Sequence, residues 1–299
     1  MTVYLETNSD GAKSQGYLNS GRIEGIGAIV QCQLLLYAIC KKLGVEYYSS
    51  GFKNIGHSSY TSQNIEEWSD SFTEFFNLST NNKIDYKYSF SEIGTEFFNF
   101  VETNRNNFHS ILIYLEPESV LQYGQTIISE IFEKKHLKDL KYNFVYNENF
   151  DHNVLNVSFH IRNINSEDTS FQSFREYYDR ESIFKYKNLI EQIYKLSENE
   201  KVKLHIHSQG SSKEFEWVLD HQKKNFEIIL HLNDHPINDI YCMSFADLLV
   251  MSNSSFSWIA HLLNYNVTLV RDNFWHSTYP NTLKLDHDYS FNTNRLKLK

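Results

Sequence analysis

The chain has 299 residues, and its 37 acidic against 28 basic side chains give a net charge of −9. Hydrophobic residues make up 41%, aromatics 15% and Gly plus Pro only 11 + 3 = 14 residues, which excludes collagen-like, linker-rich and disordered chains. The acidic balance leaves little positive charge for non-specific nucleic-acid binding, while a local basic pocket for one or two phosphates stays compatible with it.

The length suits one large domain or two ordinary ones. Cys32, Cys40 and Cys242 are odd in number and widely spaced, so neither a disulfide framework nor a zinc site is expected, and a reducing compartment fits. The opening MTVYLETNSDGAKSQ has no basic start followed by an apolar run, so no signal peptide is expected. No apolar stretch approaches the length of a membrane span, and no repeat is visible.

In chain order, Gly21, Gly25 and Gly27 mark a glycine-containing turn. Ile29, Cys32, Leu36, Ile39 and Leu43 then recur at helical spacing, with Gly44 as C-cap, and 45–48 reads as a short strand. Residues 64–80 predict a helix through Ile65, Trp68, Phe72, Phe75 and Phe76. The stretch 81–108 takes no assignment, and an amphipathic helix is expected around 119–135. The second half predicts strands at 155–161, 202–207, 226–232, 248–251 and 267–270, the last closing the series. Helices are expected between them at 180–196, 214–224, 237–245 and 255–263. Strands alternating with helices imply a doubly wound parallel sheet, whose ligands bind at the carboxyl ends of the strands.

Four motifs bear on chemistry. His160-Ile161-Arg162-Asn163 ends a strand, where a guanidinium suits a diphosphate; a surface arginine in a loop is the plainer reading. His207-Ser208-Gln209-Gly210 ends another strand, where small residues let a ligand approach the backbone, although any strand-to-helix turn needs such residues. Ser252-Asn253-Ser254-Ser255 runs from a buried strand into a helix capped by Ser254 or Ser255. It reads as an anion site on the helix N-terminus or as a cap alone. Finally, Gly21-Arg22-Ile23-Glu24-Gly25-Ile26-Gly27 lacks both common nucleotide fingerprints, yet Arg22 and Glu24 could face a cleft, with Glu24 a candidate general base. No GxSxG elbow or HExxH motif occurs. Asp286 and Asp288 could be read as a metal site, and a solvated turn accounts for them better.

Taken in that order, the HIR and HSQG strand ends and the segment ADLLVMSNSSFSWIAHLL resemble the donor half of the fucosyltransferase-like GT-B glycosyltransferases. That superfamily includes α-1,2-, α-1,6- and protein O-fucosyltransferases. EGIGAIVQCQLLLYAIC is similar to its N-terminal glycine-rich turn and helix. The resemblance implies an α/β fold of GT-B type: two Rossmann-like domains with parallel sheets flanked by helices and an interdomain cleft. Residues 1–150 would form the N-terminal acceptor-side domain and 151–299 the C-terminal nucleotide-sugar donor-binding domain. It also implies transfer of a sugar from a nucleoside diphosphate, usually GDP-fucose, to a glycan or glycoprotein acceptor, inverting and with no metal or other cofactor required. Matched by position, Arg162 would hold the diphosphate, and Ser254, Ser255 and Phe256 would wrap the phosphates. Asp239 would contact the nucleoside, with His160, Ser208 and Gln209 lining the pocket. Glu24 would be the base, beside Arg22, Gly25 and Gly27 of the turn. The family form HxRRxD is altered here, since Asn163 and Asn165 replace the second Arg and the acid. Another donor such as UDP-xylose, or a non-catalytic nucleotide- or carbohydrate-binding protein, is therefore the alternative. The expected location is the cytoplasm, as a soluble protein without nucleic-acid partners. Asn-, Lys-, Ile- and Tyr-heavy usage points to an AT-rich genome of viral type.

Overall fold

A computed structural model of the protein describes residues 3–7, 26–49, 51–52, 55, 64–76, 83–105, 109–130, 153–162, 181–196, 200–292 and 296. The chain forms two compact units, Met1–Val145 with His276–Tyr279, and Tyr146–Trp275 with Pro280–Lys299. Both are α/β, each built on a parallel sheet with flanking helices.

The first unit contains β1 (Val3–Thr7), α1 (Ile26–Leu43), β2 (Glu46–Tyr47), α2 (Ile65–Phe76), β3 (Tyr86–Phe90), α3 (Thr95–Asn104), β4 (Ile111–Leu115) and α4 (Pro117–Thr126). Its strands are ordered β2-β1-β4-β3, and every pair is parallel. The central helix α1 buries Ile29, Val30, Leu34, Leu35, Leu36, Ala38 and Ile39, a wider apolar surface than one amphipathic stripe. Lys41 and Lys42 occupy its last turn, where cations suit the dipole. Gly44 ends it at φ +64°, and Val45 N–H reaches back to Cys40 O at 3.0 Å. The α2 helix starts from an Asn64 cap: its Oδ1 accepts from Glu66 N at 3.1 Å and Glu67 N at 2.9 Å. Trp68, Phe72 and Phe76 follow at four-residue spacing, all fully buried. The unassigned stretch 81–108 holds β3 and α3. β3 escapes a pattern reading because it is an edge strand whose Tyr86 and Tyr88 are exposed.

Gly124 of α4 packs against α1. A Cβ built there would lie 2.8 Å and 2.9 Å from the Leu35 methyl carbons and 3.0 Å from its Cβ. Leu35 is fully buried, and its Cβ as well as its methyl groups lies in the way. Gly124→Ala gains helix propensity of about 1 kcal/mol, but overpacking costs about 1–3 kcal/mol. We expect a net loss near 1 kcal/mol in urea denaturation; a raised midpoint would show that Leu35 repacks freely.

The second unit runs β5 (Leu155–His160), α5 (Glu181–Leu196), β6 (Val202–Ser208), a tight helical turn at Ser212–Phe215 leading into α6 (Glu216–Leu219), β7 (Phe226–Leu232), α7 (Pro236–Phe245), β8 (Leu248–Val250), α8 (Ser255–Leu263), β9 (Val267–Arg271) and β10 (Thr282–Leu285). The sheet order is β10-β9-β8-β5-β6-β7, all parallel. Two expectations need correction. The helix expected over 214–224 ends at Leu219, because Lys223 and Phe226 exchange backbone hydrogen bonds of 3.0 Å and turn the chain into β7. The strand series does not close at 270, since β10 adds to β9. Being half-exposed and four residues long, β10 leaves a weak pattern.

Period-two alternation gives this sheet two unlike faces. Leu155, Val157 and Phe159 of β5, Val202, Leu204 and Ile206 of β6, and Phe226 and Ile228 of β7 form one apolar core with Leu189, Ile190 and Ile193 of α5. Each such side chain contributes about 1.5–3 kcal/mol on full burial. The other face carries Ser158 and His160, His205 and His207, and His231 under α7 and α8. Ser158 Oγ donates to Cys242 O of α7 at 3.5 Å, and His261 Nδ1 of α8 lies 3.1 Å from Thr268 Oγ1 of β9. Counted from β5, the sheet order read from β7 is third, second, first, fourth, fifth, sixth, the doubly wound order that reverses between β5 and β8.

Candidate functional site

The reversal places the carboxyl ends of β5 and β8 side by side, the position where open parallel sheets take ligands. Ile161 N–H still bonds to His207 O at 3.0 Å, so Arg162 is the first residue beyond the ladder. It is half-buried there. On the other side, Met251 N–H bonds to Leu269 O at 2.9 Å, and the serine run begins at the next residue. Ser252 Oγ lies 2.7 Å from His160 Nδ1, which bridges the reversal with one hydrogen bond. The His160 ring also packs 5.3 Å from that of Phe256.

Within the run, Ser254 caps α8 by accepting from Phe256 N–H at 3.2 Å. Ser257 Oγ donates to Ser252 O at 3.1 Å and to Ser254 O at 3.2 Å, and Ser254 N–H donates to Ser252 O at 2.8 Å. These bonds explain why so polar a stretch is buried: Ser252, Asn253 and Ser254 are each 4–6% exposed. Asn253 Oδ1 is buried without a hydrogen-bond partner. The first turn of α8 brings the positive end of a helix dipole to the same sheet edge as the Arg162 guanidinium. Burial pushes His160 down to about 3, with His207 and Arg162 adding to the effect, so it is neutral near pH 7. Positive charge at this edge thus comes from Arg162 and backbone N–H groups.

The HSQG turn is held at three points. Ser208 Oγ donates to Ile161 O at 2.7 Å, directly before Arg162. Asn233 N–H bonds Ser208 O at 3.0 Å. The Asn233 amide then pairs with Gly210, accepting from its N–H at 3.0 Å and donating to its O at 2.9 Å. Both residues have left-handed backbone, φ +59° at Asn233 and +114° at Gly210. Asparagine tolerates that region better than most residues, and glycine freely. Gln209 lies between the fixed ends, half-buried.

Beneath this turn lies a histidine stack. His207 and His231 are register partners with rings 4.6 Å apart and 7° from parallel, and His205 stacks 5.3 Å from His231. His207 Nδ1 is 2.7 Å from Asp239 Oδ1 in the first turn of α7. His231 Nε2 is 3.0 Å from His205 Nδ1, while its Nδ1 is 3.3 Å from Asp234 Oδ2. Burial pushes His205 to about 2 and His207 well below its ordinary value, and it raises the Asp239 carboxyl.

The residues expected in the donor pocket, His160, Arg162, Ser208, Gln209, Asp239, Ser254, Ser255 and Phe256, therefore gather at one edge of one sheet. Arg22, Glu24 and Gly25 lie outside the described residues, and Gly27 stands in the first turn of α1 in the other unit. Ser252 and Asn253 belong to the serine run expected as an anion site, whereas His205, His231 and Asn233 carry no such expectation from the sequence. The alternation of VKLHIH signals two histidines on one face, but their partners appear only with the strand register. Among the described residues, no group of three or more His, Cys, Asp or Glu is placed to hold a metal ion. Asp286 and Asp288 build a turn through Ser290: Asp288 Oδ1 accepts its N–H at 3.0 Å and Asp286 Oδ2 its hydroxyl at 3.2 Å.

No family model matches the chain, and no curated protein matches it. Among solved structures, it is similar to POFUT1 in complex with GDP-fucose, at 12% identity and a TM-score of 0.38, over 93% of this chain and 97% of that one. A second crystal form of that complex gives 13% and 0.39 over 89% and 95%. The POFUT1 apo form gives 13% and 0.37 over 87% and 94%.

Proposed function

We propose that the protein is a glycosyltransferase that moves a sugar from a nucleoside-diphosphate donor, GDP-fucose first, to a glycan or glycoprotein acceptor, inverting and without a required metal. The observation that supports this is the meeting of Arg162, the α8 N-terminus and the His160–Ser252 bond where the sheet order reverses. Negative charge develops on the departing diphosphate as the glycosidic bond breaks. A guanidinium and the N–H groups of a helix N-terminus stabilise such charge where they are preorganised around it. Asp239 and Gln209 flank the nucleoside end of the same edge. On this reading 151–299 binds the donor and 1–150 the acceptor, whose hydroxyl proton goes to a base such as Glu24. Among the described residues no helix is long and apolar enough to cross a membrane, and action in the cytoplasm belongs to this proposal.

A second reading is favoured by Asn163 and Asn165, which stand where the family resemblance leads one to expect an arginine and an acid. It keeps the nucleotide site but changes the donor, for example to UDP-xylose, or dispenses with turnover. A thermal-shift panel of GDP, UDP, GDP-fucose and UDP-xylose, with and without Mg²⁺, separates these. Ligand at about 100 times its dissociation constant adds roughly 2.7 kcal/mol of stability. We expect GDP and GDP-fucose to raise the melting temperature and UDP not to. A UDP-selective shift replaces the donor, and no shift with any nucleotide overturns the site.

A further inference from the structure

His207 occupies the middle of the row His160–His207–His231 at the carboxyl ends of three adjacent strands. It is fully buried, and its ring nitrogens have unequal surroundings. Nδ1 lies 2.7 Å from Asp239 Oδ1, whereas Nε2 is buried with no hydrogen-bond partner. Together these facts locate the proton. A buried N–H without an acceptor is rarer and more costly than a buried lone pair without a donor. Were Asp239 the donor, Nε2 would carry an orphan N–H, and an imidazolium would carry one too. The arrangement that avoids this puts the proton on Nδ1, donated to Oδ1, and leaves a lone pair at Nε2.

The neighbouring rings are committed elsewhere. His231 spans Asp234 and His205, and His160 Nδ1 faces Ser252. Asp239 is thus oriented by His207, and it is not sealed off: its side chain keeps 12% of its surface, against none for His207. Burial alone favours the neutral acid at Asp239, and a donated N–H opposes that by stabilising the carboxylate.

We infer that His207 is a positioning residue for nucleotide recognition: its Nδ1–H fixes the Asp239 carboxylate so that the other oxygen accepts from an N–H or hydroxyl of the bound nucleoside. This rests on the nucleotide-donor reading above, so the test begins with the unaltered chain.

The probe is GDP, titrated calorimetrically into the full-length protein. His207→Asn places an amide N–H near the Nδ1 position, whereas His207→Gln carries it towards Nε2. The two variants are alike in polarity and neither titrates. Asp239→Asn leaves His207 in place and removes the carboxylate. Loss of one hydrogen bond to a charged group corresponds to about 10- to 100-fold in affinity. We expect His207→Gln and Asp239→Asn to weaken GDP by that factor and His207→Asn to stay within about threefold of the unaltered protein, with the ligand-free melting temperatures of the two His207 variants close together. Wild-type affinity in both His207→Gln and Asp239→Asn, or equal weakness in the Asn and Gln variants of His207, overturns the inference while leaving the donor reading intact. No binding of any nucleotide to the unaltered chain overturns the donor reading, and the inference with it.

Discussion

On the proposed glycosyltransferase reading, replacing Arg162 with alanine is expected to lower sugar transfer by about 10²–10³-fold, the usual cost of removing one preorganised group that stabilises transition-state charge. The expectation follows from placement. Arg162 stands one residue past the last ladder bond of β5, beside the strand-order reversal. Ser208 Oγ, bonded to the preceding carbonyl, limits how far that backbone can move. The substitution lies outside the apolar core, so stability is expected to change little. Arg162→Lys should fall between, because an ammonium retains the charge but not the fork that grips two phosphate oxygens. Release of GDP from GDP-fucose reads the rate, and a GDP titration reads binding. An alanine variant with full rate would remove Arg162 from the mechanism.

The second large effect is acid sensitivity. His160, His205 and His261 are buried, with folded-state values near 3, 2 and 3 against 6.5 for the free side chain. Between pH 6.5 and about 3 the unfolded chain therefore binds more protons than the folded one. Stability rises with pH through that window, is fully present above 6.5 and is lost on acidification. Each group contributes up to about 1.4 kcal/mol per pH unit. Three acting together remove on the order of 6 kcal/mol by pH 5, comparable to the whole stability of many domains. Urea midpoints from pH 8 to 4.5 should fall steeply below about 6.5. A flat profile would show that these rings are protonated, or reached by water, in the folded protein.

The second unit was legible because its strands are short apolar runs separated by amphipathic helices. Its boundaries from 155 to 263 fall close to those expected, apart from α6. The first unit was harder. β3 exposes its tyrosines and so does not announce itself by alternation, while β1 and β4, as long as β9, were not expected from the sequence. At the site, sequence reading reached residues that follow an apolar strand: Arg162 after β5, Ser208 at the end of β6, the serine run after β8. It could not reach bonds that depend on which strands are neighbours. Ser252 meets His160 across 92 residues, and Asn233 meets Gly210 across 23. Such pairings are set by sheet order and register, which local patterns do not encode.

The return of His276–Tyr279 to the first unit has a consequence for how the protein is made. Gln125 at the end of α4 meets His276 Nδ1 at 2.8 Å and accepts from Ser277 N–H at 2.6 Å, and Tyr279 is buried to within 2%. A ribosome synthesises the first 145 residues early, yet that unit lacks its last four until nearly the whole chain has emerged. The half that is translated first is thus completed only after most of the second has been made, and β10 of the second follows it. A fragment ending between the two sheets would lack His276–Tyr279 and leave Gln125 without these two partners.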